Sequence, residues 1–187
     1  MTIKKFNQGF TLIEVLVALL IFAIGMLGLA GLQLQAHQTT SYAQGRTAAT
    51  MAASHLFERM RANNNAVTAG DYAFSSATTV LPAAVADCNT VTGCGSAAEM
   101  AQNDIREWIL TLNQSLPILN SDLSFNTDAN IRICIDSSPE FSTPTSVGAG
   151  INCDGALGQW TIYIDWVERR EELTTFQVNR QTFTFVP

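Results

Sequence analysis

Glu14 is a carboxylate at the mouth of a segment that excludes charge. The 18 residues that follow, Val15 to Leu32, hold no charged or strongly polar side chain, enough for a helix to cross a bilayer. A carboxylate at the centre of such a span costs about 3 kcal/mol, less near the interface, and calls for a named partner. Two uses are open to Glu14: it snorkels to the interface, or it meets a cation from another chain. Gly9 and Phe10 lie just upstream. A residue without a side chain gives the backbone its widest freedom just ahead of the apolar run.

The remaining reactive residues are few. Cys88, Cys94, Cys134 and Cys153 are separated by five residues within the first pair and 18 within the second, too far apart for the tight ligand pairs of a zinc site. Disulfides are expected. Of three possible connectivities, Cys88–Cys94 with Cys134–Cys153 closes the shorter loops, and the second bridge would pin the Ser137–Asn152 excursion onto a sheet. His37 and His55 are 18 positions apart on a helical pattern and read as surface residues. Asn126 to Asn130 lacks the glycine and terminal glutamate of a calcium loop and reads as a turn. The sequence holds no nucleotide loop, no GxSxG and no HExxH, so no catalytic residue, cofactor or metal ligand is assigned and the protein is expected not to be an enzyme.

Charge narrows the class further. The 187 residues carry 10 Lys and Arg against 16 Asp and Glu, a net charge of -6, and only 14% are charged, against roughly 25% in average globular chains. The only lysines are Lys4 and Lys5; without them 8 arginines face 16 acids, or -8. Electrostatic nucleic-acid binding needs clustered cations. Arg106, Arg132, Arg169, Arg170 and Arg180 are outnumbered by the acids around them, so nucleic acid is not an expected partner. No basic residue follows Lys5 until Arg46. That asymmetry places the N-terminus in the cytoplasm and the body outside, where cysteines oxidise.

Three readings fit the N-terminus: a cleaved secretory signal, with Gly28-Leu29-Ala30 as the small-residue site; a plain anchor; or Gly9-Phe10-Thr11-Leu12-Ile13-Glu14-Val15-Leu16-Val17-Ala18 as one functional unit. This string resembles the prepilin signature of type IV pilins and type II secretion pseudopilins. The resemblance implies a leader at residues 1–9 removed by a prepilin peptidase on the cytoplasmic side. It further implies N-methylation of Phe10, and Glu14 paired with the charged N-terminus of a neighbouring subunit. Ala48 to Arg61, with Gly-Met-Leu-Gly-Leu-Ala-Gly-Leu-Gln upstream, is similar to the PilV branch of minor pilins over roughly residues 9–65. Many major pilins place a proline where this chain has Gly25, Gly28 and Gly31. Those glycines either loosen the helix or let helices pack closely.

The elements that position these residues follow from periodicity. Tyr42, Ala49, Ala53, Leu56 and Met60 share one helical face, and Asn63, Asn64 and Asn65 stop the pattern. The spacing predicts a helix over 10–62, roughly 80 Å long, with 10–34 in the membrane or filament core and a head at 63–187. Residues 63–97 read as a loop with one strand at Asp71 to Phe74. Met100, Ile105, Trp108, Ile109, Leu112 and Leu116 predict a helix ended by Pro117. Period-two alternation predicts strands around Ile131–Ile135, Trp160–Trp166 and Phe176–Phe185, a weaker one at Asp122–Phe125, and a charged turn at Glu168–Glu172. The fold class is α+β: a long helix packed on an antiparallel sheet, with one additional helix, as the pilin resemblance also implies. Related pilins often carry a C-terminal disulfide loop.

The resemblance implies a minor pilin that helps prime assembly near the pilus tip and supports adhesion and twitching motility. Its implied partners are other minor pilins and pilus subunits, the inner-membrane assembly platform, the prepilin peptidase and a large tip adhesin. The implied location is the inner membrane, crossed once with the head in the periplasm, and then the extracellular pilus. A minor pseudopilin of type II secretion is the alternative, although such subunits are usually shorter. A DNA-uptake pilin is a third reading, disfavoured by the charge.

Overall fold

The computed structural model describes residues 10–155, 159–169 and 176–187. The chain divides into two units between Ser41 and Tyr42. Helix α1, Leu12–Ala62, supplies all the regular structure of the first unit and the opening of the second. Leucine and alanine dominate it, and proline, the strongest breaker, is missing from it.

In the second unit, Ala49, Ala52, Ala53, Leu56 and Met60 of α1 are buried. The side chain of Tyr42 lies outside the described set. The helix stops where Asn63 leaves helical geometry at φ -118°, ψ 55°. Asn63 is buried, its amide donating to the Ala97 carbonyl at 2.8 Å. The segment read as a loop is more structured than its composition suggests. It holds a short helix α2, Asn64–Ala69, a two-residue strand β1, Phe74–Ser75, and a 3-10 turn at Ala86–Asn89. Its turn residues hydrogen-bond locally, and Ala66, Val67 and Tyr72 bury themselves in the core.

Helix α3, Ala97–Asn113, begins at a reciprocal cap. The Ser96 hydroxyl accepts from the Glu99 amide at 3.1 Å, and the Glu99 carboxylate accepts from the Gly95 amide at 2.8 Å. A Cβ on Gly95 would sit 2.8 Å from that carboxylate oxygen, so the exposed Glu99 side chain would have to shift to admit one. Ala101, Ile105, Trp108, Ile109 and Leu112 form the buried face of α3. Met100, expected on that face, is exposed, and Ala101 takes its place.

Three further strands, β2 (Ala129–Asp136), β3 (Gln159–Arg169) and β4 (Phe176–Phe185), join β1 in an antiparallel sheet ordered β1-β2-β3-β4. Ile131 lies opposite Ile164, and Trp160 opposite Phe185. With Ile133, Ile162 and Trp166 they line the inner face that meets the helices of the head. Phe57 of α1 stacks on Phe185 at 5.2 Å between centroids. The fourth strand is β1 rather than the expected Asp122–Phe125. There only a single bridge forms, between Leu119 and Phe125. The Asp122 carboxylate accepts from both the Ser124 amide (3.1 Å) and hydroxyl (2.6 Å), which folds the chain into a turn in competition with a ladder. The charged turn expected at Glu168–Glu172 lies largely outside the described residues.

Candidate assembly site

Two places in the chain concentrate chemistry. The first is the start of α1. Phe10 is 84% exposed, and Thr11 opens the helix, its carbonyl accepting from the Glu14 amide at 3.1 Å and the Val15 amide at 3.4 Å. Glu14 therefore stands in the first turn, where a carboxylate faces the positive end of the helix dipole. Over Leu12–His37, 26 residues, α1 is long and apolar enough to cross a membrane, and its side chains are exposed. At 1.5 Å per residue that stretch measures about 39 Å, more than a hydrocarbon core of about 30 Å. Glu14 thus lies four residues after Phe10, where an exposed apolar span begins. Gly9, with the rest of residues 1–9, lies outside the described set.

The second place is the outer face of the sheet. Alternation alone assigned Cys134, Asp136, Thr161, Tyr163 and Asp165 to that face, as polar positions do. All five are buried there, because residues 137–155 fold back over them. Arg180 of β4 lies opposite Asp165 of β3. Its Nε and Nη2 donate to the two carboxylate oxygens at 2.8 and 2.7 Å, with side-chain exposures of 1% and 0%. Both groups also grip the covering loop: the Gly148 amide donates to Asp165 at 2.7 Å, and Arg180 Nη2 donates to the Ala149 carbonyl at 2.8 Å. Gly148 has φ +76° and a Cβ there would meet the Asn130 amide group at 3.2 Å, so the loop can close only through glycine.

Tyr163 repeats the arrangement one step along. Its hydroxyl donates to the Asp136 carboxylate at 2.6 Å and accepts from the Glu140 amide at 3.1 Å. Burial, reinforced by the hydrogen bond to Asp136, pushes its phenol up to about 12. The far end of the loop is held where Asp154 accepts from the amide and hydroxyl of Ser137. The structure joins Cys134 to Cys153 and Cys88 to Cys94. The first bridge fastens the same loop to β2, and the second closes a turn ahead of α3. Disulfide and buried ion pair thus hold one loop at two points. Replacing Cys134 and Cys153 by serine is expected to lower head stability by about 3 kcal/mol, read as a reduced urea midpoint. The loop contacts of Arg180 should keep the variant folded.

Arg180 is one of the five arginines judged too few for a basic surface, and its burial removes it from the surface altogether. Arg106 is turned to the Pro82 carbonyl at 2.6 Å, and the side chain of Arg169 and all of Arg170 lie outside the described residues. A cross-strand Asp–Arg pair becomes visible only once the register of β3 and β4 is known, and that is why it was missed. Trp108 was read as core, but it also acts as a polar link. Its indole donates to the Ala52 carbonyl at 2.7 Å, and the alanines on that face of α1 are small enough to admit the ring.

Comparison with known proteins adds two adjoining matches. Residues 4–30 match the prokaryotic N-terminal methylation motif, and residues 31–106 match the family described as type IV pilin Tt1218. Neither a curated protein nor a solved structure matches the chain.

Proposed function

We propose that this chain, a type IV pilin with a prepilin motif by its two adjoining matches, is a minor subunit of the PilV kind that helps prime pilus assembly near the tip. Through that role it supports adhesion and twitching motility. The observation that carries the proposal is an exposed apolar helix long enough to span a membrane that begins two residues after Phe10 and carries Glu14 in its first turn. Peptidase cleavage after Gly9 creates a charged amine at Phe10, which is then methylated. In the low-dielectric surroundings of lipid or packed helices, that amine and a neighbouring Glu14 offset each other's desolvation, whereas either alone is costly. The span holds the subunit in the inner membrane, N-terminus inward and head in the periplasm, until it leaves with the filament.

The proposed partners are other minor pilins and pilus subunits, the assembly platform and a tip adhesin. The head supports a structural role, because its buried polar groups lock a loop and are closed off from substrate. A type II pseudopilin shares the N-terminal motif, but the cysteine-bridged head and the PilV-like helix favour the pilus. Mass spectrometry of the chain from membranes tests the N-terminal chemistry. The expected mature protein begins at Phe10 and carries one added methyl group. A chain beginning at Met1, or one cut after Ala30, contradicts the proposal.

A further inference from the structure

The two edges of the sheet are treated differently. On the β2 side, β1 covers the middle of the strand, and single residues close the rest. The Ser76 amide donates to the Ile131 carbonyl at 2.9 Å, the Ser76 hydroxyl accepts from the Ile131 amide at 2.8 Å, and the Gly155 amide donates to the Ile135 carbonyl at 3.1 Å. On the other side β4 runs for ten residues in unbroken register with β3. Among the described residues, no main chain from another element pairs with its outer edge.

Proteins blunt such edges with lysine, proline, bulges or short strands. β4 uses none of these. Its one charge, Arg180, is turned into the buried pair with Asp165.

The surroundings of the edge specify what would fit. The Thr182 hydroxyl donates to the Glu140 carbonyl at 2.7 Å, which brings the clamped loop to the edge strand. The next loop residue, Phe141, is 67% exposed, and Val186, just past the end of β4, is 73% exposed. Exposed apolar side chains therefore lie near an edge whose main-chain groups no other described strand pairs, although the Arg180 carbonyl accepts from its neighbour Gln181 Nε2 at 2.9 Å. Glu140 is exposed beside it. Arg59, Arg106 and Arg180 are engaged with Asp104, the Pro82 carbonyl and Asp165, while Arg61 lies over the Phe185 ring of β4 at 5.0 Å with its charge paired to Glu58.

We propose that the open edge of β4 is a strand-docking site for an extended segment of a partner chain, apolar at alternate positions and carrying a basic residue to meet Glu140. Main-chain hydrogen bonds supply the affinity of such augmentation, and alternate side chains supply the specificity. A second copy of β4 is the poorer occupant, because its only cation is already buried against Asp165. The proposal goes beyond the assignment as a minor pilin and stands on the head alone.

The test uses the full chain in detergent micelles and a fluorescent peptide, acetyl-Thr-Val-Thr-Val-Lys-Val-Thr-Val-amide, followed by anisotropy. Saturable binding is expected. It should weaken by about tenfold in Thr184→Lys, which places a gatekeeper cation on an exposed edge position. It should weaken similarly when the peptide's lysine is replaced by glutamate. Circular dichroism shows whether the variant keeps its fold. Absence of saturable binding, or binding indifferent to both changes, overturns the proposal. So does a concentration-dependent dimer in sedimentation that Thr184→Lys dissociates, which would assign the edge to a second copy.

Discussion

Replacing Arg180 by methionine is expected to destabilise the head by about 3–5 kcal/mol, the range for removing one partner of a buried ion pair. Asp165 has no exposure to water and, among the described residues, would keep the Gly148 amide as its charge-stabilising donor. The Ala149 carbonyl would lose its donor as well. A domain of this size has roughly 5–15 kcal/mol in total, so the single change consumes a large share of it. The double variant Arg180→Met with Asp165→Leu should be markedly more stable than either single one, because no charge is then left unpaired. It will not recover fully, since Gly148 and Ala149 still lose their partners, at about 1–3 kcal/mol for each buried group left unsatisfied. Urea unfolding followed by the fluorescence of Trp160 and Trp166 measures all three. A loss in the double equal to the sum of the two single losses would mean that the pair is not energetically coupled.

Glu14→Ala is expected to remove the subunit from pili by at least about tenfold while leaving it in the membrane. The two effects have opposite signs on one residue. Deleting a carboxylate from a span relieves up to about 3 kcal/mol of insertion cost, so the variant should reach the bilayer at least as well as the parent. What it loses is the partner for the ammonium at Phe10, and one unpaired charge among packed helices costs several kcal/mol. Immunoblots of sheared pili and of membranes separate the outcomes. Glu14→Asp should assemble partially, because the charge survives on a side chain one methylene shorter. Normal incorporation of Glu14→Ala would reduce Glu14 to an interfacial carboxylate.

The pilin resemblance was legible because its signals are contiguous in sequence. Gly9 through Ala18 reads as one string, and the two family matches adjoin at residues 30 and 31. The α+β class and the three long strands were also legible, since Ile131–Ile135 and Trp160–Trp166 alternate cleanly. The start of α3 was readable in principle from Ser96 and Glu99 at capping-box spacing. The small elements were legible only in part. A strand was expected at Asp71–Phe74, and β1 forms at Phe74–Ser75, where β2 offers an edge, whereas Asp122–Phe125 has strand-like residues but an aspartate that folds it locally. The outer face was the largest loss. Period two sorts residues into two sides without saying what covers each, so the burial of Asp136, Tyr163, Asp165 and Arg180 could not be read from alternation. A loop of Ser, Pro, Thr and Gly gives no hydrophobic signal, yet it buries four polar side chains by matching each with a donor or acceptor.

The central claim is that this chain serves a pilus. It is tested most directly by a clean deletion scored in parallel for surface pili and for type II exoprotein secretion. The expected result is loss of pili with secretion intact, restored by the wild-type gene and not by Glu14→Ala. Normal pili with blocked secretion would contradict the claim and make the chain a pseudopilin.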